Sequence, residues 1–138
     1  MTTREERQRE ARDELKAILS GEDYEVEFIL VEGTRDVEAL CFLGVTTPID
    51  VFSHIGQAEQ DVAARISLKT RSILILTDFD EKGVILAKRL TKLLTAEGVM
   101  VQVELRKKIE RLMGILGLKT MESLDDWVVK NDARARNP

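Results

Sequence analysis

Two short runs, Phe28–Val31 and Ile73–Leu76, are apolar throughout, and each passes at once into an acidic turn: Glu32-Gly33 after the first, Thr77-Asp78-Phe79-Asp80 after the second. Apolar runs of this length, carrying β-branched residues and no polar alternation, fit strands buried on both faces. Both faces of such a sheet must be covered, and parallel strands need a crossover between them, so the segments separating the runs should be helices.

The intervening sequence has that character. Thr34–Phe42 places Val37, Leu40 and Cys41 on one helical face, with Thr34 as N-cap and Asp36 and Glu38 in the positive first turn. Gln57–Lys69 offers Val62, Ala63, Ile66 and Leu68 as a buried side, and Val84–Ala96 turns Ala87, Leu90, Leu93 and Leu94 inward. The first strand is read as Val26–Val31, the third as Ser72–Leu76. Two further strands are read at Asp50–Ser53 and at Val99–Leu105, the latter from its alternation of Val99, Val101, Val103 and Leu105 with polar or exposed positions. The expected fold is therefore α/β, a parallel four-stranded sheet flanked by helices through right-handed crossovers, with sites at the carboxyl ends of the strands.

Additional helices are expected at both ends. Thr3–Leu19 is densely charged, with Ala11, Leu15, Ile18 and Leu19 at helical spacing, and Ser20-Gly21 ends it. After Leu105 come a basic segment (Arg106, Lys107, Lys108, Arg111), an apolar stretch to Leu118 and a last helix bearing Met121, Leu124 and Trp127 or Val128, with Asn131–Pro138 read as frayed. The organisation that follows is an N-terminal helix over residues 1–22, a central domain over 23–118, and a C-terminal helix and tail over 119–138.

A length of 138 residues is about one domain, and 43% hydrophobic with 33% charged residues is the balance of an ordinary globular protein. No apolar run approaches the roughly 20 residues needed to cross a bilayer, and the charged N-terminus does not resemble a secretory signal, so no membrane association and a cytoplasmic location are expected. One cysteine and one histidine exclude an internal disulfide and a cysteine- or histidine-rich metal site. The net charge of −4 argues against a generally basic nucleic-acid binder and confines any such contact to local patches.

The chemistry lies in the acids. If the first and third strands are neighbours, Glu32, Asp78 and Asp80 meet at one end of the sheet. Carboxylates held together repel, so either one takes up a proton or a cation neutralises them, and the constellation asks for a hard divalent ion. Mg2+ suits it best, with Mn2+ as a substitute, because it takes one or two protein carboxylates and completes its shell with water and substrate phosphate. The plainer alternative is that Asp78 or Asp80 only caps the following helix and Glu32 is an isolated loop acid.

The segments Ile29-Leu30-Val31-Glu32-Gly33-Thr34-Arg35-Asp36 and Ile73-Leu74-Ile75-Leu76-Thr77-Asp78-Phe79-Asp80-Glu81-Lys82-Gly83 resemble the two signatures of the Toprim domain: a strand leading to Glu-Gly and a later strand leading to Asp-x-Asp. That domain occurs in type IA and type II topoisomerases, bacterial primases, OLD-family nucleases and ribosomal-RNA maturases. The resemblance spans roughly Val26–Leu105 and is strongest to small stand-alone Toprim proteins, notably an archaeal group. It implies a Rossmann-like sheet, Glu32 as general acid or base, and Asp78 and Asp80 as Mg2+ ligands. One position departs from the pattern: Lys82 stands where type IA topoisomerases carry a third acid, with Glu81 beside it.

Other side chains are weaker candidates. Arg35, beside Glu32, is read as a phosphate contact or equally as a solvated residue of the first helical turn; Lys82 is read as a phosphate contact, as is Arg106 at the head of the basic run Arg106, Lys107, Lys108 and Arg111, for which a solvated face is the alternative. His54 is read as incidental, Cys41 as core, and Tyr24, ahead of the first strand, is out of place for a nucleophile. The function expected is Mg2+-dependent chemistry on a phosphodiester of RNA or DNA, by a small nuclease or by primase-like nucleotidyl transfer. The alternative is a non-catalytic Toprim module that binds nucleic acid or assembles with a protein partner or with itself.

Overall fold

The protein is described by a computed structural model covering residues 3–22, 24–52 and 57–136. His54, and Ser53 at the end of the expected second strand, lie outside the described residues. The elements in chain order are α1 (Arg4–Leu19), β1 (Ile29–Val31), α2 (Thr34–Phe42), β2 (Ile49–Val51), α3 (Glu59–Ser67), β3 (Ser72–Ile75), α4 (Glu81–Ala96), β4 (Met100–Val101), α5 (Val103–Leu116) and α6 (Met121–Arg136). The sheet order is β2-β1-β3-β4, and every pairing is parallel. This is the α/β arrangement expected from sequence, a parallel four-stranded sheet flanked by helices.

Strand alternation decides which residues meet which helices. Ile29, Val31, Leu74 and Leu76 point into one core with Leu15 and Ile18 of α1, Leu40 of α2, Ile109 and Met113 of α5 and Met121 and Leu124 of α6. Leu30, Ile73 and Ile75 point the other way, into a core with Val62 and Ile66 of α3 and Leu86, Leu90 and Leu94 of α4. The chain leaves β1 for β2 on one side, then crosses back past β1 to β3 on the other. With right-handed crossovers, that reversal puts α2 on one face and α3 and α4 on the opposite face. It also opens a crevice at the carboxyl ends of β1 and β3, where α/β sheets of this kind bind ligands.

Four local expectations are corrected. The strand read at Val99–Leu105 is confined to Met100–Val101, and α5 starts at Val103. Leu105, Ile109, Leu112, Met113 and Leu116 repeat at helical spacing and are all buried, so this longer pattern overrides the four-residue alternation that precedes it. Arg106 therefore lies in the first turns of a helix rather than beyond a strand. Cys41, read as core, is exposed, because the buried arc of α2 runs through Asp36, Ala39 and Leu40. Gly33, not Thr34, is the N-cap of α2, with the Asp36 carboxylate accepting from the Gly33 N–H at 3.3 Å. The C-terminal segment read as frayed from Asn131 continues as helix to Arg136. Among the described residues no helix is long and apolar enough to cross a membrane.

Candidate metal and phosphodiester site

Glu32 follows β1 directly, and the Thr77–Gly83 turn follows β3. Since β1 and β3 pair in register, Ile29 with Leu74 and Leu30 with Ile75, residues 46 positions apart in sequence meet at the sheet's end. The Asp78 N–H donates to Glu32 Oε1 at 3.1 Å. The turn is fixed from several directions. The buried Thr77 hydroxyl donates to the Gly83 carbonyl at 2.8 Å, and the Gly83 N–H donates to Asp80 Oδ1 at 2.8 Å. The Phe79 N–H donates to the Lys119 carbonyl at 2.8 Å, in the loop between α5 and α6.

Arg106 anchors the turn from beneath. Its Nη1 donates to the carbonyls of Ile75 (2.9 Å) and Thr77 (3.1 Å), its Nη2 to that of Asp78 (3.2 Å), and its guanidinium lies 4.6 Å from the Phe79 ring centroid. Burial pushes its pKa down, while Glu110, Glu32 and Asp78 oppose that shift. It remains a cation, placed behind the acids with much of its donor capacity committed to carbonyls.

Electrostatically, Asp78 is the focus. Its carboxyl is raised to about 6, first by burial and then by the negative charges of Glu32, Asp36 and Asp80, with Arg106 only partly offsetting them. Asp36 was legible from sequence only as a first-turn acid. It is 7% exposed, its pKa is raised chiefly by burial, and it accepts backbone N–H bonds from Gly33 and Glu122, which ties the N-termini of α2 and α6 together. Thr77 and Gly83, also outside the sequence-based candidates, position the turn; the one signal for them was their place on either side of Asp-x-Asp.

The carboxylates gather but do not close into a cage: among the described residues no three His, Cys, Asp or Glu side chains converge to hold an ion. Asp80 performs the capping role of the plainer alternative through Oδ1. The all-oxygen donor set, and the burial and acidic neighbours that together raise Asp78, fit a hard cation taking one or two carboxylates and keeping water, as Mg2+ does. Beside the acids a groove of about 320 Å³ is lined by Glu32, Asp80, Lys82, Ile85, Leu86 and Arg89. Arg89 is held there by a bidentate pair with Glu59, both contacts 2.8 Å. Lys82 lies in the first turn of α4.

The remaining basic candidates are dispersed. Arg35 pairs with Glu122 at 3.6 Å, at the α2–α6 contact. Lys107 reaches Glu104 at 3.6 Å, and Lys108 bonds Glu14 at 2.9 Å and the Tyr24 hydroxyl at 3.0 Å. Arg111 faces a separate groove against α1.

The sequence profile of the Toprim-like family matches residues 29–111, which contain both acidic turns and the whole sheet. A UPF0292 protein of Methanosarcina barkeri is 33% identical over 118 residues, covering 86% of this chain and 80% of that protein. A UPF0292 protein of Thermococcus gammatolerans is 42% identical over 84 residues, which make up 61% of each chain. A solved structure of a protein from Aquifex aeolicus superposes with a TM-score of 0.63 over 80% of this chain and 95% of that one, at 22% identity, a likeness of fold.

Proposed function

Since this chain belongs to the Toprim-like family, we propose that it carries out Mg2+-dependent chemistry on a nucleic-acid phosphodiester, by hydrolysis or by primase-like nucleotidyl transfer. The observation that carries this reading is the Glu32–Asp78 junction, where a carboxylate is oriented by the backbone of a second acid whose own charge is disfavoured by burial and by its acidic neighbours. Asp78 and Asp80 would hold the ion, Asp80 through the oxygen not engaged by Gly83. Mg2+ held there supplies positive charge to a phosphate oxygen as negative charge develops on it. Glu32, oriented by the Asp78 N–H, takes the proton of the attacking oxygen, from water in hydrolysis or from a sugar hydroxyl in transfer. Lys82, in the same groove and beside the positive end of α4, contacts the phosphate. Arg106 acts through the backbone, keeping the turn and its acids in place, and is reassigned here from a substrate contact to a positioning residue.

A second reading, a Toprim module that binds nucleic acid without turning it over, is favoured by the lack of a three-acid cluster among the described residues and by Lys82 at the position of a third acid. A panel of labelled RNA and DNA substrates with Mg2+ or Mn2+ separates the two. Cleavage or extension by wild type that is lost in Asp78→Asn supports catalysis; binding with no product supports the module.

A further inference from the structure

Away from the acid site, α1 packs antiparallel to α5, with Leu15 and Ala11 sharing a core with Ile109, Leu112 and Met113. The Gln8 amide donates to the Ile115 carbonyl at 3.5 Å. Between the two helices runs a groove of about 620 Å³, lined by Arg4, Arg7 and Gln8 from α1 and Arg111, Gly114 and Ile115 from α5, with no acidic residue in its wall among the described residues. In a chain with 25 acidic and 21 basic residues, a concave surface with three arginines and no carboxylate is a local inversion of charge.

Folding does not account for its residues. Arg4 and Arg7 occupy the first turn of α1, where a cation opposes the helix dipole, whereas Glu5 and Glu6 are correctly placed. Gly114 lies within α5, where alanine is the better helix former, yet a Cβ added there would meet nothing within 4 Å. The glycine is thus not required by packing. It leaves the groove floor as bare backbone, where a ligand can approach closely.

The α5 wall of the groove is joined through the chain to the acidic turn. A few residues beyond Ile115 the chain reaches Lys119, exposed, whose carbonyl holds the Phe79 N–H in the Asp78–Asp80 turn. We propose that the α1–α5 groove binds the phosphate backbone of a nucleic-acid single strand. The inference rests on the phosphodiester reading for its ligand, but the groove's chemistry needs no metal. Guanidinium pairs with phosphate bidentately, and a row of them without competing carboxylates suits a polyanion better than a single small anion.

The test is fluorescence anisotropy with labelled single-stranded RNA and DNA in EDTA, between about 50 and 200 mM salt. Wild type should bind with a steep salt dependence. The triple variant Arg4→Gln, Arg7→Gln, Arg111→Gln should lose at least about tenfold in affinity at low salt and flatten the slope by about 2, at roughly 0.7 per lost contact. These three residues are exposed, so the fold should persist, and circular dichroism checks it. Gly114→Ala should move two readouts in opposite directions: a melting temperature higher by a few degrees and an affinity several-fold lower. Because the assay contains EDTA, the loss in the triple variant supports the groove even if no cleavage is ever detected. Unchanged affinity and slope in the folded triple variant would overturn the proposal, as would a poly-glutamate competing as well as the oligonucleotide.

Discussion

The α-carbon of Gly83 faces the backbone of Asp78 so closely that a Cβ on Gly83 would overlap the Asp78 carbonyl oxygen and stand 2.6 Å from its carbon and 2.9 Å from its Cα. Together with the Thr77 hydroxyl on the Gly83 carbonyl and the Gly83 N–H on Asp80, this makes the first turn of α4 and the acidic turn one unit. The glycine is required here by close approach, its φ lying outside the left-handed region.

Gly83→Ala should therefore be costly although alanine favours helices. Overlap with backbone cannot be relieved by a rotamer change, so a loss of about 2 to 3 kcal/mol is expected from urea denaturation, with the acids displaced. The variant should also lose the Mg2+-induced rise in melting temperature shown by wild type. A stability equal to wild type would show that the turn yields more readily than its packing implies.

The second expectation concerns pH. Asp78 has a folded-state pKa raised to about 6 from 3.8, so between those values the folded protein binds more protons than the unfolded chain. Without divalent ions, stability should fall as pH rises from about 4 through about 6, and the penalty should be fully present above that; the raised pKa of Asp36 acts in the same sense. Asp78→Asn should remove much of this slope and stabilise the metal-free protein at pH 7 by on the order of 1 kcal/mol, a figure reduced for solvent screening of a part-exposed carboxyl. Because Mg2+ favours the ionised carboxylate, its stabilisation of wild type should be larger at pH 7.5 than at pH 5 and absent in the variant. Thermal melts with and without Mg2+ across this range check both.

The acids and the sheet were readable because they are signalled locally: apolar runs mark β1 and β3, and Glu32, Asp78 and Asp80 stand at the ends of those runs. Their meeting depends on β1 and β3 being neighbours, which spacing alone leaves open and the two-signature resemblance implied. What surrounds them was not readable. Arg106 stood in a basic run indistinguishable from Lys107 and Lys108, and only the helical start at Val103 turns it toward the carbonyls of Ile75, Thr77 and Asp78. The role of Asp36 depends on α6 arriving beside α2, a contact between segments far apart in sequence. The charge inversion in the α1–α5 groove likewise exists only once two helices are packed, each of which carries mixed charge in sequence.

Arg106→Lys is the sharpest check of that reassignment. An ammonium cannot reproduce a planar fork spread over three carbonyls and the Phe79 face, so the substitution retains the charge and loses the geometry. A loss of about 2 to 3 kcal/mol in stability is expected, with a comparable or larger loss for Arg106→Gln. Lys107→Gln, on the exposed side of the same helix, should stay within about 0.5 kcal/mol of wild type. If Arg106→Lys folds as stably as wild type but loses nucleic-acid affinity, Arg106 is a substrate contact after all.

The last expectation separates proton transfer from metal binding. Glu32→Gln retains a side-chain oxygen able to accept from the Asp78 N–H, so the turn should keep its geometry, while the basic carboxylate is gone. If Glu32 moves the proton, turnover of the substrate found in the labelled panel should fall by a factor on the order of 10² or more, with Mg2+ affinity by calorimetry changed only modestly. The removal of one neighbouring negative charge should also lower the Asp78 pKa toward its ordinary value, which shifts the acid limb of the metal-binding profile to lower pH. A variant that loses Mg2+ affinity in parallel with activity would make Glu32 a ligand, and one with undiminished turnover would remove it from the chemistry altogether.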